Sequence, residues 1–460
     1  MEIFGVTTSF YIDSSWHRNT KRDVIFAGSP LRAFRLSQAG TVIADALERG
    51  EELANGHEQL TTRLLQAGAV HPHLSEALKP EDITIVLPAF VRDSTDMSTL
   101  QKLIVLFQNH PVIVIDDASP LRIDVEGAVV IRHSTNRGPA AARNTALEKV
   151  STTYVAFVDL DASITSDQLC CLGSLFEGAD IGVVAPRVAS QESASQLSHY
   201  EVVRSPLDMG ALPALIRPGS RVPYVPAAIL LARTAIVRHV GGFNETMRYG
   251  EDVDLLWRLS DAGIMCRYEP QVTGAHAPRA SLRKFFLQRF QYGLSAALLA
   301  KNHRSYVAPF ATNILMIGSL ISAAACAPLF VGLFLLAQFV SSSVTLFRIG
   351  DNLAHACTTA IMNIVHSVRT FADAVTRAWF WLFIILAIFF PSLRWIIAGS
   401  VVLPAVSQWS RHRAMNPLTF VVLRSIDNFS YCAGVWCGVL QQKSFAALVP
   451  KITVWWRRAG

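Results

Sequence analysis

The sequence predicts an α/β protein whose central domain is a doubly wound sheet, preceded by a small domain and followed by a helical, apolar region. Short apolar runs at 83–87, 112–115 and 154–158 alternate with helical patterns, which is the spacing of a largely parallel sheet. Two of these runs end in acidic residues, and ligands bind at the carboxyl ends of strands in such sheets. After residue 303 the chain changes to long apolar segments with few charges.

Composition favours two or three domains and contact with a membrane. The 460 residues exceed one ordinary core, and 51% are hydrophobic while only 17% are charged. The net charge of +6 is uneven, since residues 301–460 carry 13 Lys and Arg against 3 Asp and Glu. Basic charge beside apolar segments suits an anionic membrane surface, and no basic-aromatic motif for nucleic acid is visible. We therefore expect domains at 1–78, 79–300 and 301–460, and no nucleic-acid partner.

Residues 1–78 are predicted to form a small winged-helix-like domain. The predicted elements are strands at 10–12, 24–26 and 31–36 and helices at 38–48 and 57–66. Ser37 can cap the first of these helices. Two interpretations stay open for this domain: an accessory packing domain or a peptide-binding module. His71-Pro72-His73 is expected to be a linker.

The central domain is predicted from alternating strands and helices. The predicted elements are strands at 83–87, 112–115, 129–133, 154–158, 181–185 and from 230 onward, and helices at 100–108, 139–150 and 252–261. Continuous apolar runs of this length are typical of strands buried on both faces. Pro139 suits the first turn of its helix, and Gly263 lies just past the end of the last one.

The C-terminal region is predicted to be helical and associated with the cytoplasmic side of the cell membrane, either peripherally or integrally. Residues 305–347 contain no charged side chain, and about 20 apolar residues suffice for one span, so this run could form one long or two short spans. Pro328 lies near its middle. Segments 378–393 and 395–410 are also free of charge and are divided by Arg394. A buried helical hairpin is the alternative.

The pair Asp159 and Asp161, at the end of the apolar run 154–158, is the candidate metal site. Side chains two residues apart on an extended segment face the same side, so the two carboxylates can converge. Hard oxygen ligands bind Mg²⁺ or Mn²⁺ and leave positions open for the phosphate oxygens of a nucleotide sugar. Because such pairs also occur by chance on many surfaces, the preceding strand is what favours a metal site.

Three residues after the first two strands are candidate nucleotide contacts. Asp116 or Asp117 can accept a hydrogen bond from a uracil ring or from ribose hydroxyl groups. A helix cap before Ser119 is the structural alternative for these acids. Pro88 is expected to open the loop that covers the base.

The turn that opens the helix at 139 is a candidate phosphate site. Arg137 and Arg143 lie on either side of Gly138 and the helix start, where backbone N–H groups and guanidinium groups favour phosphate. Arg143 could instead be a surface residue of the helix.

An acidic cluster that opens a predicted helix supplies the expected general base. Asp252 would take the proton of the acceptor hydroxyl while the sugar carbon is attacked from the opposite face, and Glu251 would bind the acceptor or hold the loop. Since both acids open the helix, its dipole should keep them ionised. Asp254 is expected to pair with Arg258 four residues later. Trp257 is interpreted either as a sugar-stacking platform or as a core aromatic residue.

Four later residues complete the candidate site. His276 follows a predicted short strand and is either a third metal ligand or phosphate contact, or a structural histidine. Arg279, Arg289 and Tyr292 could clamp the diphosphate if their segment closes.

In their order, these motifs resemble those of the family 2 glycosyltransferases, nucleotide-sugar enzymes with the Rossmann-like GT-A fold. The resemblance covers about residues 83–270 and rests on VLPAF, VIDDAS, NRGPAAARN, FVDLD, GGFNE and GEDVDLLWRL. The segments HAPRASLRKFFLQRFQYGLSAALLAKNH and DNFSYCAGVWCGVLQQKSFAALVP extend it, over nearly the full length, to the mycofactocin-biosynthesis glycosyltransferases. Two departures stand out: Phe90-Val91-Arg92-Asp93 replaces the commoner Tyr-Asn, and the Q-x-x-R-W signature of processive synthases is missing near 285–292.

The resemblance implies an inverting, metal-dependent hexosyltransferase that transfers glucose from UDP-glucose to premycofactocin, a peptide-derived redox cofactor precursor, and then to the growing β-glucan. By motif match it gives Asp159 and Asp161 the metal role, Asp252 the role of base and Asp117 a nucleotide contact. Two alternatives stay open: a membrane-associated glycosyltransferase acting on a lipid or cell-wall acceptor, and a non-catalytic peptide-binding scaffold.

Overall fold

The computed structural model describes residues 9–53, 56–177, 181–193, 195–278, 281–304, 306–413 and 415–453. The chain divides into two compact units. The sheet unit comprises residues 1–18, 25–192 and 204–278, and the helical unit comprises residues 19–24, 193–203 and 279–460. The N-terminal segment therefore shares a unit with the central sheet. The division into three domains at residues 78 and 300 stays a prediction.

The N-terminal segment contains short strands and two amphipathic helices. Its elements are β1 (Phe10–Ile12), β2 (His17–Arg18), β3 (Val24–Ala27), β4 (Arg32–Arg35), α1 (Gln38–Arg49), α2 (Glu58–Ala67) and β5 (Val70–Pro72). β1 pairs antiparallel with β5, and β2, β3 and β4 form a second small sheet. The Ser37 hydroxyl caps α1 by accepting from the N–H of Gly40, as expected. The prediction of a linker at 71–73 is wrong for its first residues, because His71 is buried within strand β5.

The central elements include the predicted strands and helices, together with shorter elements that were not predicted, among which the helix at 196–204 belongs mostly to the helical unit. They are β6 (Ile83–Ala89), α3 (Ser94–Leu106), β7 (Val112–Asp116), β8 (Val129–Arg132), α4 (Pro139–Lys149), β9 (Tyr154–Val158), β10 (Ala162–Ser163), α5 (Ser166–Gly173), β11 (Ile181–Ser190), α6 (Gln196–Arg204), β12 (Ala214–Leu215), β13 (Ile229–Arg233), α7 (Thr234–His239), α8 (Glu251–Asp261) and β14 (Met265–His276). The strands form one sheet in the order β10-β14-β11-β13-β9-β6-β7-β8, with β12 paired to β14.

The sheet is mixed, but its long strands share one direction. β6 runs parallel to β7 and β9, and β11 runs parallel to β14. β13 lies antiparallel between β9 and β11, so these two strands also run the same way. Apolar residues on both faces fill two separate cores; Ile85 contributes to one and Val86 to the other. The carboxyl ends of β7, β9 and β14 therefore meet at one edge of the sheet.

A charged cluster joins the N-terminal segment to this sheet. Both terminal nitrogens of Arg221 donate to the carboxylate of Asp13 at 3.0 Å. Nε2 of His71 lies 2.9 Å from the same carboxylate, and Nδ1 of His71 lies 2.6 Å from Nη2 of Arg267 on β14. Burial lowers the pKa of His71, so its ring is neutral, donating to Asp13 and accepting from Arg267. The cluster thus explains why residues so far apart in sequence form one unit.

The helical unit is built around long helices. Beyond residue 281 its elements are α9 (Leu282–Asn302), β15 (Ala311–Asn313), α10 (Ile314–Ala324), α11 (Pro328–Arg348), α12 (Leu353–Arg377), α13 (Phe380–Phe389), α14 (Leu393–Trp409), α15 (Pro417–Gln442) and β16 (Lys451–Thr453). The charge-free run at 305–347 forms two helices, and Pro328 starts the second, where its missing N–H needs no partner.

Glycines allow α9 and α15 to approach each other closely. A Cβ atom on Gly434 would lie 2.0 Å from the carbonyl oxygen of Phe290, and one on Gly293 would lie 2.1 Å from that of Tyr431. Both distances are far below van der Waals contact, so the two helices meet backbone to backbone. The contact depends on the absence of side chains at these positions.

Among the described residues, one helix is long and apolar enough to cross a membrane. This helix is α11, with 21 residues and a mean hydropathy of 1.9, and only 17% of its apolar window is buried. α12 and α13 pass the same test together, although they are bent by 89°. α10 is apolar but short.

Candidate active site

Asp161 and His276 come together at the carboxyl edge of the sheet, and Asp159 follows β9 at the same edge. β10 follows Asp161 directly and pairs Ala162 with His276 at the end of β14. Nε2 of His276 lies 3.0 Å from Oδ2 of Asp161. Asp159 follows β9, and its backbone N–H donates to the carbonyl of Ala228 at 2.9 Å. The paired carboxylate and imidazole are groups that can bind a divalent cation such as Mn²⁺, whereas an oxygen of Asp159 is engaged by Arg143.

Arg143 is buried between two acids of this edge. Nη2 of Arg143 donates to Oδ1 of Asp159 at 2.7 Å, and Nη1 donates to Oε1 of Glu251 at 2.7 Å. Its guanidinium carbon lies 5.3 Å from the centre of the Phe243 ring. Burial alone would lower the pKa of Arg143, but the two carboxylates outweigh it and raise the pKa. The alternative of a surface residue is wrong, and the side chain faces protein acids at the place where a phosphate contact was expected.

Glu251 and Asp252 open α8, as predicted. The preceding Gly250 has a φ of 78°, a left-handed conformation that glycine adopts without strain. Asp252 accepts from the N–H of Ala227 at 3.2 Å and from that of Val253 at 2.8 Å. The expectation that the helix dipole keeps both acids ionised is corrected. Burial, followed by the charge of Asp252, raises the pKa of Glu251 to about 7, and burial also raises the pKa of Asp252.

Asp117 holds the turn that precedes α4. Its carboxylate accepts from the backbone N–H groups of Arg137 and Gly138, both at 2.8 Å, and lies 2.7 Å from Nδ1 of His133. Gly138 has a φ of 89°. Two backbone N–H groups of the turn that was expected to bind phosphate are therefore occupied by a carboxylate of the protein. A contact from Asp117 to the nucleotide stays a prediction.

Asp116 is also engaged within the protein. Its carboxylate accepts from the N–H of Ser119 at 2.8 Å and from Nη1 of Arg132. The alternative of a helix cap is wrong, because the described residues between β7 and β8 form no helix. Pro88 does not open the loop as expected, because β6 continues to Ala89 and pairs Pro88 with Ile115. Nucleotide contacts by Pro88 and Asp116 stay predictions.

Asn144 connects two of the sequence motifs, and the sequence reasoning missed it. Its side chain donates to the carbonyl of Phe243 and accepts from the N–H of the same residue, both at 2.8 Å. The same amide donates to Oε1 of Glu245 at 3.0 Å. The only local signal was that NRGPAAARN and GGFNE both belong to the recognised motif order.

Two exposed arginines lie beside the turn at Gly138. Nη2 of Arg137 donates to Glu245 at 2.8 Å, and Nη2 of Arg248 donates to Oδ1 of Asn136 at 2.6 Å. A Cβ atom on Gly138 would lie 3.6 Å from Nε of Arg248. Arg248 was not among the expected residues, although it stands just before the acidic cluster. These guanidinium groups, unlike that of Arg143, reach the surface.

The remaining residues of α8 have structural roles. Nε of Arg258 donates to Oδ2 of Asp254 at 2.8 Å, which confirms the expected pair. Trp257 is buried, and its indole N–H donates to the carbonyl of Pro223 at 2.9 Å. Of its two interpretations, the core aromatic residue is therefore confirmed.

The expected diphosphate clamp is not supported at Arg289. This side chain is buried within the helical unit, where its guanidinium lies 3.2 Å from Glu201 and 3.3 Å from Asp427. Two protein carboxylates thus already neutralise its charge. Tyr292, on the same helix, accepts from Gln288 at 3.0 Å, and its role stays a prediction. Arg279 lies outside the described residues.

Comparison with known proteins agrees with these motifs. The model of glycosyl transferase family 2 matches residues 84–236. Proteins named pre-mycofactocin glycosyltransferase, from two strains of Mycobacterium tuberculosis, are 34% identical to this chain over 453 residues, covering 93% of this chain and 94% of theirs. An uncharacterized glycosyltransferase from Haemophilus influenzae is 35% identical over 97 residues, covering 19% of this chain and 39% of that protein.

Among solved structures, the chain is similar to a mannosyltransferase from Pyrobaculum calidifontis in complex with GDP-Man and Mn²⁺. The TM-score is 0.42 and the identity 14%, covering 83% of this chain and 94% of the other. The assignment of family rests instead on the sequence relatives, whose identity extends over nearly the whole of both chains. The chain therefore belongs to glycosyl transferase family 2, with the GT-A fold, and within it to the family of the pre-mycofactocin glycosyltransferases.

Proposed function

We propose that this glycosyltransferase transfers glucose from UDP-glucose to premycofactocin and then to the growing β-linked glucan, with inversion at the sugar carbon. The observation that carries the proposal is that Asp161 and His276 lie 3.0 Å apart at the sheet edge where Asp159 follows β9, while the N–H of Ala227, just before β13, donates to Asp252. The relatives' name, pre-mycofactocin glycosyltransferase, supports the acceptor. The donor sugar and the repeated transfer rest on the resemblance of the motifs.

A divalent cation, Mg²⁺ or Mn²⁺, would be held by Asp159, Asp161 and His276. The carboxylate oxygens suit both ions, and the imidazole favours Mn²⁺ over Mg²⁺. When bound, the ion supplies positive charge that offsets the charge developing on the leaving diphosphate. The exposed guanidinium groups of Arg137 and Arg248 are the protein's own cations beside the turn at Gly138, and we assign them to the phosphates.

Asp252 is the general base of this proposal. Its carboxylate accepts the proton of the acceptor hydroxyl while that oxygen forms a bond to the sugar carbon. The bond between this carbon and the phosphate oxygen breaks on the opposite face, and its electron pair leaves with UDP. Burial raises the pKa of Asp252, which brings its basicity closer to neutral pH. The hydrogen bond from the N–H of Ala227 fixes one carboxylate oxygen and so orients the base.

The helical unit places the enzyme on the cytoplasmic side of a membrane in this proposal. The exposed face of α11 carries apolar residues, and its buried face carries polar ones. Leu329 is 70% exposed and Leu336 57%, whereas Gln338 and Ser342 are each 6% exposed. Water favours the opposite arrangement, whereas hydrocarbon favours this one. At about 1.5 Å per residue, 21 residues match a hydrocarbon core of about 30 Å.

α10 repeats the same inverted pattern. Ile314 and Ile321 are exposed, while Ser319 and Ser322 are buried. Arg348 ends α11 and is exposed, a position where a long basic side chain reaches the lipid headgroups. Two neighbouring helices with apolar exteriors support a bilayer rather than solvent as their surroundings.

Release of UDP by the purified protein tests the proposal. The assay uses a panel of UDP-sugars with Mg²⁺ or Mn²⁺, with and without the premycofactocin acceptor. The expected result is release from UDP-glucose that rises with this acceptor, and a product heavier by whole hexoses. Release that requires a lipid or another sugar acceptor would overturn the acceptor and keep the chemistry. No release with any donor would favour a non-catalytic scaffold.

A further inference from the structure

The guanidinium group of Arg143 divides its hydrogen bonds between two parts of the active site. One terminal nitrogen donates to Asp159, which follows β9, and the other donates to Glu251, which opens α8, each at 2.7 Å. The side chain itself comes from a third element, α4, and Arg143 is only 3% exposed. One buried cation therefore connects the acid assigned to the metal with the acid beside the base.

The backbone at Ala227 and Ala228 closes this connection. The carbonyl of Ala227 lies 3.4 Å from Nη2 of Arg143, and its N–H donates to Asp252 at 3.2 Å. The carbonyl of Ala228 accepts from the N–H of Asp159 at 2.9 Å. The start of β13 thus contacts the arginine, the base and the metal-binding turn. All three are held within one hydrogen-bonded network.

Only an arginine can make both contacts. Its planar fork presents donors in fixed directions, so two carboxylates can be bound at a set distance from each other. Lysine has a compact charge without this geometry and would reach one acid at a time. The Phe243 ring, 5.3 Å from the guanidinium carbon, restricts the orientation of the fork further.

We propose that Arg143 is a positioning residue, which sets the place of Glu251 and Asp252 relative to Asp159, and is not a ligand of the donor phosphates. The proposal rests on the proposed roles of Asp159 in metal binding and of Asp252 as base. Metal and donor lie on one side of the reacting sugar carbon and the acceptor oxygen on the other. The distance between Asp159 and Asp252 therefore determines whether the acceptor oxygen attacks the sugar carbon in line with the bond that breaks.

Arg143→Lys tests this role because it keeps the charge and loses the fork. With a displacement of about 1 Å costing about 100-fold in rate, kcat should fall by about two orders of magnitude. The affinity for UDP without metal, measured by calorimetry, should change less than about threefold, since no phosphate contact is lost. A phosphate ligand would show the reverse, with weakened UDP binding that equals or exceeds the loss in kcat, and that result would overturn the proposal.

Arg258→Lys is the matched control. Arg258 also pairs with an acid of α8, but that acid is Asp254, and the other donors of Arg258 go to the carbonyl groups of Val240 and Gly242. The substitution Arg258→Lys should lower the melting temperature, as Arg143→Lys does, and leave kcat nearly unchanged. An equal fall of kcat in both variants would show that loss of stability alone explains the effect, and would overturn the proposal.

Glu251→Gln provides a second variant if Arg143→Lys does not fold. It keeps the hydrogen-bond acceptor for Arg143 and removes the charge that holds the guanidinium. A fall of kcat with unchanged UDP affinity supports the positioning role, and an unchanged kcat overturns it. If the wild-type protein binds UDP with Mn²⁺ but transfers no sugar to any acceptor, the proposed function fails, a result that is distinct from either outcome here.

Discussion

Nε2 of His276 lies 3.0 Å from Oδ2 of Asp161, although one residue ends the last strand of the sheet and the other follows β9. The antiparallel pairing of β10 with β14 brings them together. A neighbouring carboxylate orients the imidazole, and both groups are suitable metal donors. The relationship links a lone histidine, which is weak evidence in a sequence, to an acidic pair that is equally weak by itself.

His276→Gln and Asp161→Asn should therefore both weaken binding of Mn²⁺ in the presence of UDP, by about 10-fold or more, because each replaces a donor with a neutral amide that binds the ion less strongly. Titration calorimetry or the electron paramagnetic resonance of Mn²⁺ measures the effect directly. His239→Gln, an exposed histidine at the end of α7, is the control and should bind the ion normally. Unchanged affinity in both site variants would remove them from the metal site.

Asp252→Asn should abolish transfer and leave binding of UDP with metal nearly intact. The amide keeps the size of the side chain and cannot accept the proton of the acceptor hydroxyl, so a loss of about 100- to 10,000-fold in kcat is expected. Single-turnover measurements with premycofactocin separate this loss from product release. Asp261→Asn, at the end of the same helix, controls for loss of a charge on α8. Retained turnover in Asp252→Asn would place the base elsewhere.

The rate of transfer should fall on the acid side, at a pH above the range in which an exposed aspartate becomes protonated. Burial, followed by the charge of Asp252, raises the pKa of Glu251 to about 7 from an ordinary value of 4.5, and burial raises the pKa of Asp252 as well. Protonation on this pair removes the base form, so activity is lost on the acid side. In Glu251→Gln the neighbouring negative charge is gone, and the acid limb of the pH–rate profile should move to lower pH. A limb that stays in place would exclude this pair as its origin.

The raised pKa of Glu251 also makes the free energy of unfolding depend on pH. Between pH 4.5 and about 7 the folded protein holds a proton on Glu251 that the unfolded chain has released. The contribution of this group to the free energy of unfolding therefore falls as the pH rises through that window. Chemical denaturation of the metal-free protein at several pH values measures the slope, and Glu251→Gln should make it shallower.

Gly434→Ala should destabilise the helical unit. The new methyl group would lie 2.0 Å from the carbonyl of Phe290, so α9 and α15 would have to move apart. Overpacking of this kind costs about 1–3 kcal/mol. Gly399→Ala is the control, because its methyl group would meet only Leu403 at 3.8 Å, and alanine is the better helix former. The melting temperature should fall in the first variant and rise slightly in the second.

Leu336→Glu should weaken binding to lipid vesicles. The residue is 57% exposed on α11, and a carboxylate there would have to enter the hydrocarbon. Flotation of the full chain with vesicles of anionic and zwitterionic lipid measures the effect. Val105→Glu, 66% exposed on α3 of the sheet unit, is the control and should float like the wild type. A wild-type chain that is monodisperse without detergent and does not float would contradict the proposed membrane contact.

Local patterns predicted the elements of the sheet better than the contacts between them. The apolar runs before Asp116 and Asp159 marked β7 and β9, because a strand buried on both faces is continuously apolar. The antiparallel insertion of β13 escaped prediction, since direction within a sheet is set by long-range pairing. The apolar residues at the start of the run Leu230–Arg233 predict a buried strand, but they carry no information on whether that strand runs parallel or antiparallel to its neighbours.

The sequence predicted which residues the candidate site contains, but it did not predict which groups those residues contact. Asp252 and the D-x-D pair lie where the motifs indicated. Arg143 was expected at phosphate and instead meets two acids from distant elements, a contact that spacing along the chain cannot reveal. Backbone groups such as the N–H of Ala227 carry no sequence signal at all, because every residue except proline has one.

The cluster of Asp13, His71, Arg221 and Arg267 makes the N-terminal segment a counter-ion and hydrogen-bond partner for the sheet. A chain shortened to begin at residue 79 would leave Arg267, fully buried, without His71, and Arg221 without Asp13. Removing one partner of a buried ionic group costs several kcal/mol. A hybrid between relatives must therefore exchange the N-terminal segment together with the residues at positions 221 and 267, so that the two parts of the chain are constrained to change as one.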